Sequence, residues 1–140
     1  MLPLRLVLDT NVIISAALKA NGPQRTVLLL ALTKPARLYA SNAILAEYRE
    51  GLARKELKIR RGARLQLLQL IKNRSHLVTP TQKIQAARDP DDNMFLECAD
   101  AARADYLITG NQRHFPRFWK QTKVITAREF ITLISPHLAS

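Results

Sequence analysis

Three acidic residues stand where their carboxylates could act on one bound group. Asp9 directly follows the apolar run LRLVL, Glu47 borders the apolar stripe of a predicted helix, and Asp92 lies in the first turn of another. Each alone has an ordinary explanation, as a helix cap, a solvated side chain or a residue favoured by the helix dipole. Together, three carboxylates without a cation would repel one another, and at least one would stay protonated. Oxygen ligands with no clustered His or Cys suit Mg²⁺ or Mn²⁺.

The elements that must position these acids alternate between strands and helices. Short, nearly continuous apolar segments are typical of strands covered on both faces of a parallel sheet. We therefore predict an α/β fold of three layers, α/β/α, with a mostly parallel central sheet. The predicted strands are 4–8, 37–40, 76–78, 106–108 and 123–125, and the predicted helices are 12–19, 24–33, one capped by Ser41 that includes 44–52, 63–72, 89–104 and a closing helix after the capping box of Thr126 and Glu129.

The three acids are predicted to converge at one edge of this sheet. In parallel α/β sheets, functional groups gather beyond the carboxyl ends of the strands, at the topological switch point. Asp9 and Asn111 each follow a predicted strand by one to three residues. Asp92 shares a helix face with Leu96 and Ala99, so it points toward the same side as core residues. A central first strand would let the helices that carry Glu47 and Asp92 approach its end.

The composition indicates a basic, soluble domain. A chain of 140 residues suits one compact domain, here 1–140, and no apolar run is long enough to cross a bilayer. Lys and Arg number 22 against 11 acids, and a net charge of +11 favours a polyanionic partner. The only cysteine, Cys98, lies among apolar residues like a core side chain, which fits a reducing cytoplasm. We expect a cytoplasmic protein with no membrane association.

Two basic stretches could contact a polyanion such as RNA. The second stretch is interleaved with Phe115, Phe118 and Trp119, and arginines beside aromatic rings suit single-stranded nucleic acid. The same rings could equally belong to a core or a dimer interface, and the first stretch could be solvated helix surface. The first comprises Arg54, Lys55, Lys58, Arg60, Arg61 and Arg64; the second comprises Arg113, His114, Arg117, Lys120 and Lys123, of which Arg113, Arg117 and Lys120 are the predicted RNA contacts.

Four segments of the chain resemble those of PIN-domain proteins, specifically the VapC-like toxin branch of bacterial toxin–antitoxin systems. They are LVLDTNVIISA, SNAILAEYREGL, DPDDNMFLECADAARADYLITGNQRHF and VITAREFI, which occur in the family's order and span nearly the whole chain. The resemblance implies a metal-dependent endoribonuclease whose acids hold Mg²⁺ or Mn²⁺ and activate water for in-line attack on an RNA phosphodiester. It also implies a homodimer and a cognate antitoxin that occupies the nuclease groove.

The resemblance assigns roles to four positions. Asp9, Glu47 and Asp92 match the first three catalytic and metal-binding acids, and Asn111 stands at the fourth metal position, where the family often has Asp. Asn keeps an oxygen acceptor but loses the negative charge, so a second metal should bind more weakly. We therefore expect one firmly bound metal at the three acids and a second only alongside substrate.

Neighbouring polar residues have two interpretations each. Thr10 and Asn11 could orient the Asp9 carboxylate and Thr109 could border the same pocket, or all three could be turn residues only, since such side chains readily bond local backbone. Asp89 and Asp91 could compensate for the missing fourth acid, although their place at a helix start explains them better.

Three other functions remain compatible with the sequence. An aspartyl-phosphate protein would use Asp9 as nucleophile, but haloacid-dehalogenase-like phosphatases need a second acid two residues later, and Asn11 stands there. A PIN-fold RNA-binding module with weak or no catalysis would explain Asn111. A nuclease that cuts DNA is the third, because phosphate chemistry alone does not distinguish the sugar.

Overall fold

The fold is a six-stranded sheet flanked by six helices. A computed structural model describes residues 4–138. Within this range the strands are β1 (Arg5–Leu8), β2 (Arg37–Ala40), β3 (His76–Leu77), β4 (Tyr106–Ile108), β5 (Phe118–Trp119) and β6 (Thr122–Ile125). The helices are α1 (Thr10–Leu18), α2 (Pro23–Ala31), α3 (Asn42–Leu52), α4 (Arg61–Arg74), α5 (Asn93–Ala102) and α6 (Ala127–Leu138). Single 3₁₀ turns lie at Lys55–Leu57, Pro90–Asp92 and Gln112–His114.

The strand order places β1 at the centre of a mostly parallel sheet, as predicted. The order is β3-β2-β1-β4-β6-β5, and only the β5–β6 pair is antiparallel. The chain moves from β1 outward to β3 and then returns to β4 on the other side of β1. Right-handed crossovers that run in opposite directions place their helices on opposite faces. The switch point therefore lies between the carboxyl ends of β1 and β4.

The core forms on both faces of β1. Leu6, Val7 and Leu8 are fully buried, because helices cover both faces of this strand and no alternation with solvent is needed. Phe95 on α5 is among the largest buried side chains, and α5 packs against β1, β2 and β4. Each such side chain contributes about 1.5–3 kcal/mol when fully buried. Cys98 is a buried free thiol, as predicted, and burial raises its pKa to about 12.

Two elements differ from the sequence prediction. The helix expected from residue 89 begins as the 3₁₀ turn Pro90–Asp92 and becomes α-helical only at Asn93. The Asp89 carboxylate caps the turn by accepting the Asp91 N–H at 3.0 Å. The antiparallel strand β5 was not predicted, since two residues are too few to show a hydrophobic period. Among the described residues, no helix is both long and apolar enough to cross a membrane.

Close packing of α1 against α3 depends on Gly51. A Cβ atom built on Gly51 would lie 2.7 Å from Thr10 Cγ2 and 3.2 Å from Ile14 Cδ1, so a larger side chain would push the two helices apart. Glu47 stands one turn earlier on α3, and residues four apart share a helix face. Gly51 therefore sets how closely the helix of Glu47 approaches the start of α1.

Substituting Gly51 tests this packing. We expect Gly51→Ala to lower the free energy of unfolding by about 1–3 kcal/mol, because the added methyl group overpacks the α1–α3 contact. Urea denaturation measures the loss. Gly62→Ala is the matched control in α4: nothing lies within 4 Å of its Cβ position, so it should be neutral or stabilising by up to about 1 kcal/mol. Equal effects of the two substitutions would contradict the packing role.

Candidate active site

Asp9 is a buried carboxylate at the carboxyl end of β1. Its side chain is 5 % exposed, and both oxygens accept hydrogen bonds. Oδ1 accepts the Thr10 N–H at 2.7 Å, while Oδ2 accepts the Thr109 hydroxyl at 2.7 Å and the Asn11 side-chain N–H at 3.2 Å. Because a carboxylate oxygen has about two acceptor sites, Oδ2 is fully used and Oδ1 keeps one free.

The register of the sheet brings these donors to Asp9. Leu8 pairs with Ile108 in the parallel β1–β4 ladder, so the residues that follow them, Asp9 and Thr109, lie side by side. The Thr109 hydroxyl also accepts the Asn111 N–H at 2.9 Å, which closes the turn after β4. The Asn11 amide is fixed at both ends, since its oxygen accepts the Gly110 N–H at 3.0 Å. The two strand ends thus form one hydrogen-bonded unit.

The electrostatics of this unit favour a cation. Burial is the main cause that raises the pKa of Asp9, and the nearby charge of Glu47 raises it further. The hydrogen bonds from Thr109 and Thr10 act in the opposite direction and stabilise the ionised form. The carboxylate is therefore oriented by donors but only partly compensated in charge.

Glu47 reaches the site from α3. Two hydrogen bonds hold this helix in place. Ser41 Oγ accepts the Ile44 N–H at 3.2 Å as the predicted cap, and the buried Tyr48 hydroxyl donates to the Leu8 carbonyl. That hydrogen bond ties α3 to the last residue of β1, immediately before Asp9. The Glu47 side chain is half-buried and lines the same pocket as Asp9.

Asp92 completes the acidic side of the site. Desolvation is the main cause that raises its pKa, followed by the charges of Asp9 and Asp89, whereas His114 lowers it. His114 Nδ1 lies 3.5 Å from Asp92 Oδ2. Asp89 and Asp91 also face the pocket, and the capping hydrogen bond between them agrees with the interpretation of both as helix-start residues.

We call the resulting cavity the acid pocket. The predicted site residues Asp9, Thr10, Asn11, Glu47, Asp92 and Asn111 all line it, together with Ile14, Arg54, Asp89, Asp91, Phe95 and His114. Within residues 4–138, however, no three His, Cys, Asp or Glu side chains are grouped closely enough to hold one metal ion between them. A Mg²⁺ or Mn²⁺ ion in this pocket would bind through one or two of the carboxylates and complete its coordination with water, as Mg²⁺ does in proteins.

The Thr10 hydroxyl offers a further donor atom in the acid pocket. Sequence reasoning assigned the Thr10 side chain to the orientation of Asp9, but the backbone N–H makes that bond. The residue is 6 % exposed, and among the described residues its Oγ1 has no hydrogen-bond partner. A buried hydroxyl without a partner costs about 1–3 kcal/mol, so its presence beside Asp9 fits a site that is completed by water or a bound ion.

The sequence did not indicate where two basic residues, Arg54 and Lys120, lie relative to the acids. Arg54 lines the acid pocket, yet it was grouped with a helical basic surface because nothing local distinguishes it. Lys120, a predicted RNA contact, precedes β6 and lies at the opposite end of the sheet from Asp9. There its ammonium pairs with Asp100 at 2.7 Å. Arg113 and Arg117 are exposed and do not line the acid pocket.

The three aromatic residues of the second basic stretch have different surroundings. Phe115 is a buried core residue, and the Trp119 indole N–H donates to Asp100 at 3.1 Å. Only Phe118 is largely exposed, at 58 %. Phe115 thus belongs to the core, the Trp119 nitrogen is held by a structural hydrogen bond, and Phe118 is the most exposed of the three rings.

Comparisons with known proteins agree with this geometry. A family model described as PIN domain matches residues 5–113. The chain belongs to the PIN domain family. It is 29% identical over 140 residues to the Uncharacterized protein MJ1680 of Methanocaldococcus jannaschii, covering 91% of this chain and 90% of that protein.

A solved structure shares the PIN fold. It is described as VapBC2 from Rickettsia felis bound to a DNA fragment from their promoter, and it superposes with a TM-score of 0.59 at 18% identity. The match covers 86% of this chain and 98% of that chain. At this identity the likeness supports the fold predicted from the sequence.

Removing the Thr109 hydroxyl tests its part in the site. Thr109→Val takes a donor from Asp9 and leaves the Asn111 N–H unpaired, so we expect a loss of about 1–3 kcal/mol in unfolding free energy and a further rise in the pKa of Asp9. Carboxyl ¹³C NMR across a pH titration reports that pKa. Thr122→Val is the matched control, because its buried hydroxyl donates to the Ala104 carbonyl at the opposite end of the sheet. An unchanged Asp9 pKa in Thr109→Val would contradict the assignment.

The pH dependence of stability tests the charge of Asp92. Its pKa is raised in the folded state, so the stability it contributes is present at low pH and is lost as the pH rises through the folded pKa. In chelator, Asp92→Asn should therefore match the parent near pH 3.5 and become the more stable protein as the pH rises toward 7. Urea denaturation at each pH measures this. A variant that is less stable than the parent at pH 7 would show that protein groups already compensate the charge.

Proposed function

We propose that this PIN domain is a metal-dependent endoribonuclease and the toxin component of a toxin–antitoxin system. PIN domains are generally nucleases. The observation that carries the proposal is the buried Asp9 carboxylate, which accepts hydrogen bonds from three donors and lines one cavity with Glu47 and Asp92. Beside it lies the Thr10 hydroxyl, which has no hydrogen-bond partner within residues 4–138. Ionised carboxylates are costly in such a place unless a cation joins them.

The donor set of the acid pocket fits Mg²⁺ or Mn²⁺. Its carboxylate, amide and hydroxyl groups bind hard cations through oxygen, and Mg²⁺ in proteins keeps several waters and binds through one or two carboxylates. Asp9, through the free acceptor site on Oδ1, and Asp92 would hold the ion, with Glu47 and the Thr10 hydroxyl acting directly or through water. When bound, such an ion stabilises charge on a phosphoryl oxygen and lowers the pKa of water.

The neutral Asn111 supports a site with one strongly bound ion. Its side chain lines the acid pocket where a fourth acid would add negative charge, and its backbone N–H is used by Thr109. An amide oxygen is a weaker ligand than a carboxylate for a hard cation. We propose that a second ion is recruited only when an RNA phosphate supplies the missing charge.

The remaining groups would hold the substrate. Arg54 lines the acid pocket without forming an ion pair among the described residues, so its guanidinium is available to a phosphate. The net charge of +11 supplies non-specific attraction to RNA, and Arg113 and Arg117 are exposed on the chain segment after β4. Thr109 and Asn11 keep Asp9 in one orientation during attack on the phosphodiester.

An antitoxin partner is proposed on separate grounds. The structural neighbour is named as part of VapBC2 and was solved on promoter DNA. The chain as a whole carries a net charge of +11, which favours a partner that approaches it with an acidic or apolar segment. We further propose that the chain forms a homodimer and acts in the cytoplasm.

RNA cleavage by matched variants tests the proposed function. Purified parent should cut mixed single-stranded RNA with Mg²⁺ or Mn²⁺, and Asp92→Asn should cut about two orders of magnitude more slowly, because a ligand that the ion needs is lost. Glu47→Gln should also lose activity, whereas Glu50→Gln, an exposed control on the same helix, should not. A chelator should abolish cleavage.

The alternative outcomes assign other functions. Equal cleavage by parent and Asp92→Asn would indicate a contaminating nuclease. RNA binding without cleavage would favour a binding module that has lost catalysis and carries Asn111 in place of the fourth acid. Preferential cleavage of matched DNA oligonucleotides would change the substrate, and acid-labile phosphate on Asp9 would support an aspartyl-phosphate protein.

A further inference from the structure

A second groove continues from the acid pocket along the carboxyl edge of the sheet. Asn11 and Asn111 line both cavities, so the two are contiguous at these residues. From there the groove runs between the first turns of α2 and α6. Its polar lining includes Ser15, Gln24 and Arg128. We call this cavity the flanking groove.

The flanking groove differs from the acid pocket in its charge. No Asp or Glu among the described residues lines it, whereas Asp and Glu residues dominate the acid pocket. Glu129, next to Arg128 in sequence, does not line the groove, and its Oε1 accepts hydrogen bonds from the Gln112 side chain at 2.8 Å and from the Thr126 N–H and hydroxyl at 3.0 and 3.1 Å. An anion bound in the groove would therefore meet no carboxylate among its lining residues.

Arg128 is the charged group of the flanking groove. It is exposed, and within the described residues its guanidinium has no salt bridge and no hydrogen bond. A guanidinium presents paired N–H donors that match the oxygens of a phosphate. At the other end of the groove, Asn111 offers a neutral amide where a carboxylate would repel a passing phosphate.

We propose that the flanking groove is the subsite for the nucleotide next to the scissile phosphate of single-stranded RNA, with Arg128 binding a neighbouring phosphate. The proposal rests on the proposed ribonuclease function and names where its substrate lies. Ser15 and Gln24 supply a hydroxyl and an amide, groups that bond to ribose hydroxyls and base edges. The acid pocket then receives the phosphate to be cut, and the groove fixes the strand that leads to it.

RNA binding by exposed-arginine variants tests the subsite. The probe is a fluorescently labelled 12-nucleotide single-stranded RNA, and its anisotropy is measured with metal-free protein over a range of salt concentrations. Arg128→Ala should weaken binding about tenfold at low salt and make the slope of log K against log [salt] shallower by about 0.7, the value for one phosphate contact on a single strand. Gln24→Ala should weaken binding without changing the slope.

Arg74→Ala is the matched control for charge. Arg74 is an exposed arginine in the last turn of α4, which ends just before β3 begins, so it lies at the edge opposite the flanking groove. It should leave both affinity and slope unchanged. Thermal unfolding of each variant checks that the fold is intact.

The outcomes separate this proposal from the proposed function. If the parent cuts RNA while Arg128→Ala and Arg74→Ala bind RNA alike, the subsite is overturned and the ribonuclease stands. If the parent neither cuts nor binds RNA, the proposed function fails and the subsite fails with it. If Arg128→Ala loses affinity and its salt slope becomes shallower by the value for one phosphate contact, while Arg74→Ala changes neither, the subsite is supported, whatever the cleavage rate.

Discussion

The pairing of β1 with β4 is the interaction on which the site depends. Because Leu8 lies opposite Ile108, the chain delivers Asp9 and Thr109 to the same point at the switch of the strand order. The 2.7 Å hydrogen bond between them then fixes the carboxylate. A slip of one residue in this register would move Thr109 away from Asp9 and break this hydrogen bond, so the pairing of the two strands specifies the site.

The other elements act by bringing charge to this fixed carboxylate. Tyr48 and Gly51 hold α3, and with it Glu47, against the end of β1 and the start of α1. The capped 3₁₀ turn before α5 brings Asp92 to the pocket. Burial and mutual repulsion raise the pKa values of Asp9 and Asp92, so keeping these acids together in their ionised form destabilises the folded state. A cation is the simplest compensation, and the strongly basic remainder of the chain suits a phosphodiester that the cation would engage.

Most of the fold could be predicted from the sequence, because its strands and helices follow local signals. These signals act over only a few residues: the apolar run before Asp9, the cap at Ser41, and the capping box of Thr126 and Glu129. The predicted parallel α/β fold is confirmed. The convergence of the acids at one edge followed from the general rule for parallel sheets. The strand β5 could not be predicted, because its two residues are too few to show an alternation of apolar and polar side chains.

The details of the site depend on contacts between distant residues, which one sequence does not reveal. The approach of Arg54 to the acid pocket and the pairing of Lys120 with Asp100 each follow from how loops fold back on the sheet. The sequence indicated that Asp9, Glu47 and Asp92 meet at one edge of the sheet, and the structure places all three in the lining of one cavity. Spacing along a chain indicates which residues meet, but only the packed backbone determines how closely.

Calorimetric titration of Mn²⁺ into metal-free protein at pH 7, without RNA, tests the central claim most directly. The account predicts about one strong site per chain in the parent, its loss in Asp92→Asn, and unchanged binding in the exposed control Glu50→Gln. Two strong sites in the parent would contradict the account of Asn111. No binding, or equal binding by parent and Asp92→Asn, would contradict the claim that Asp9 and its neighbours are held together for a metal ion.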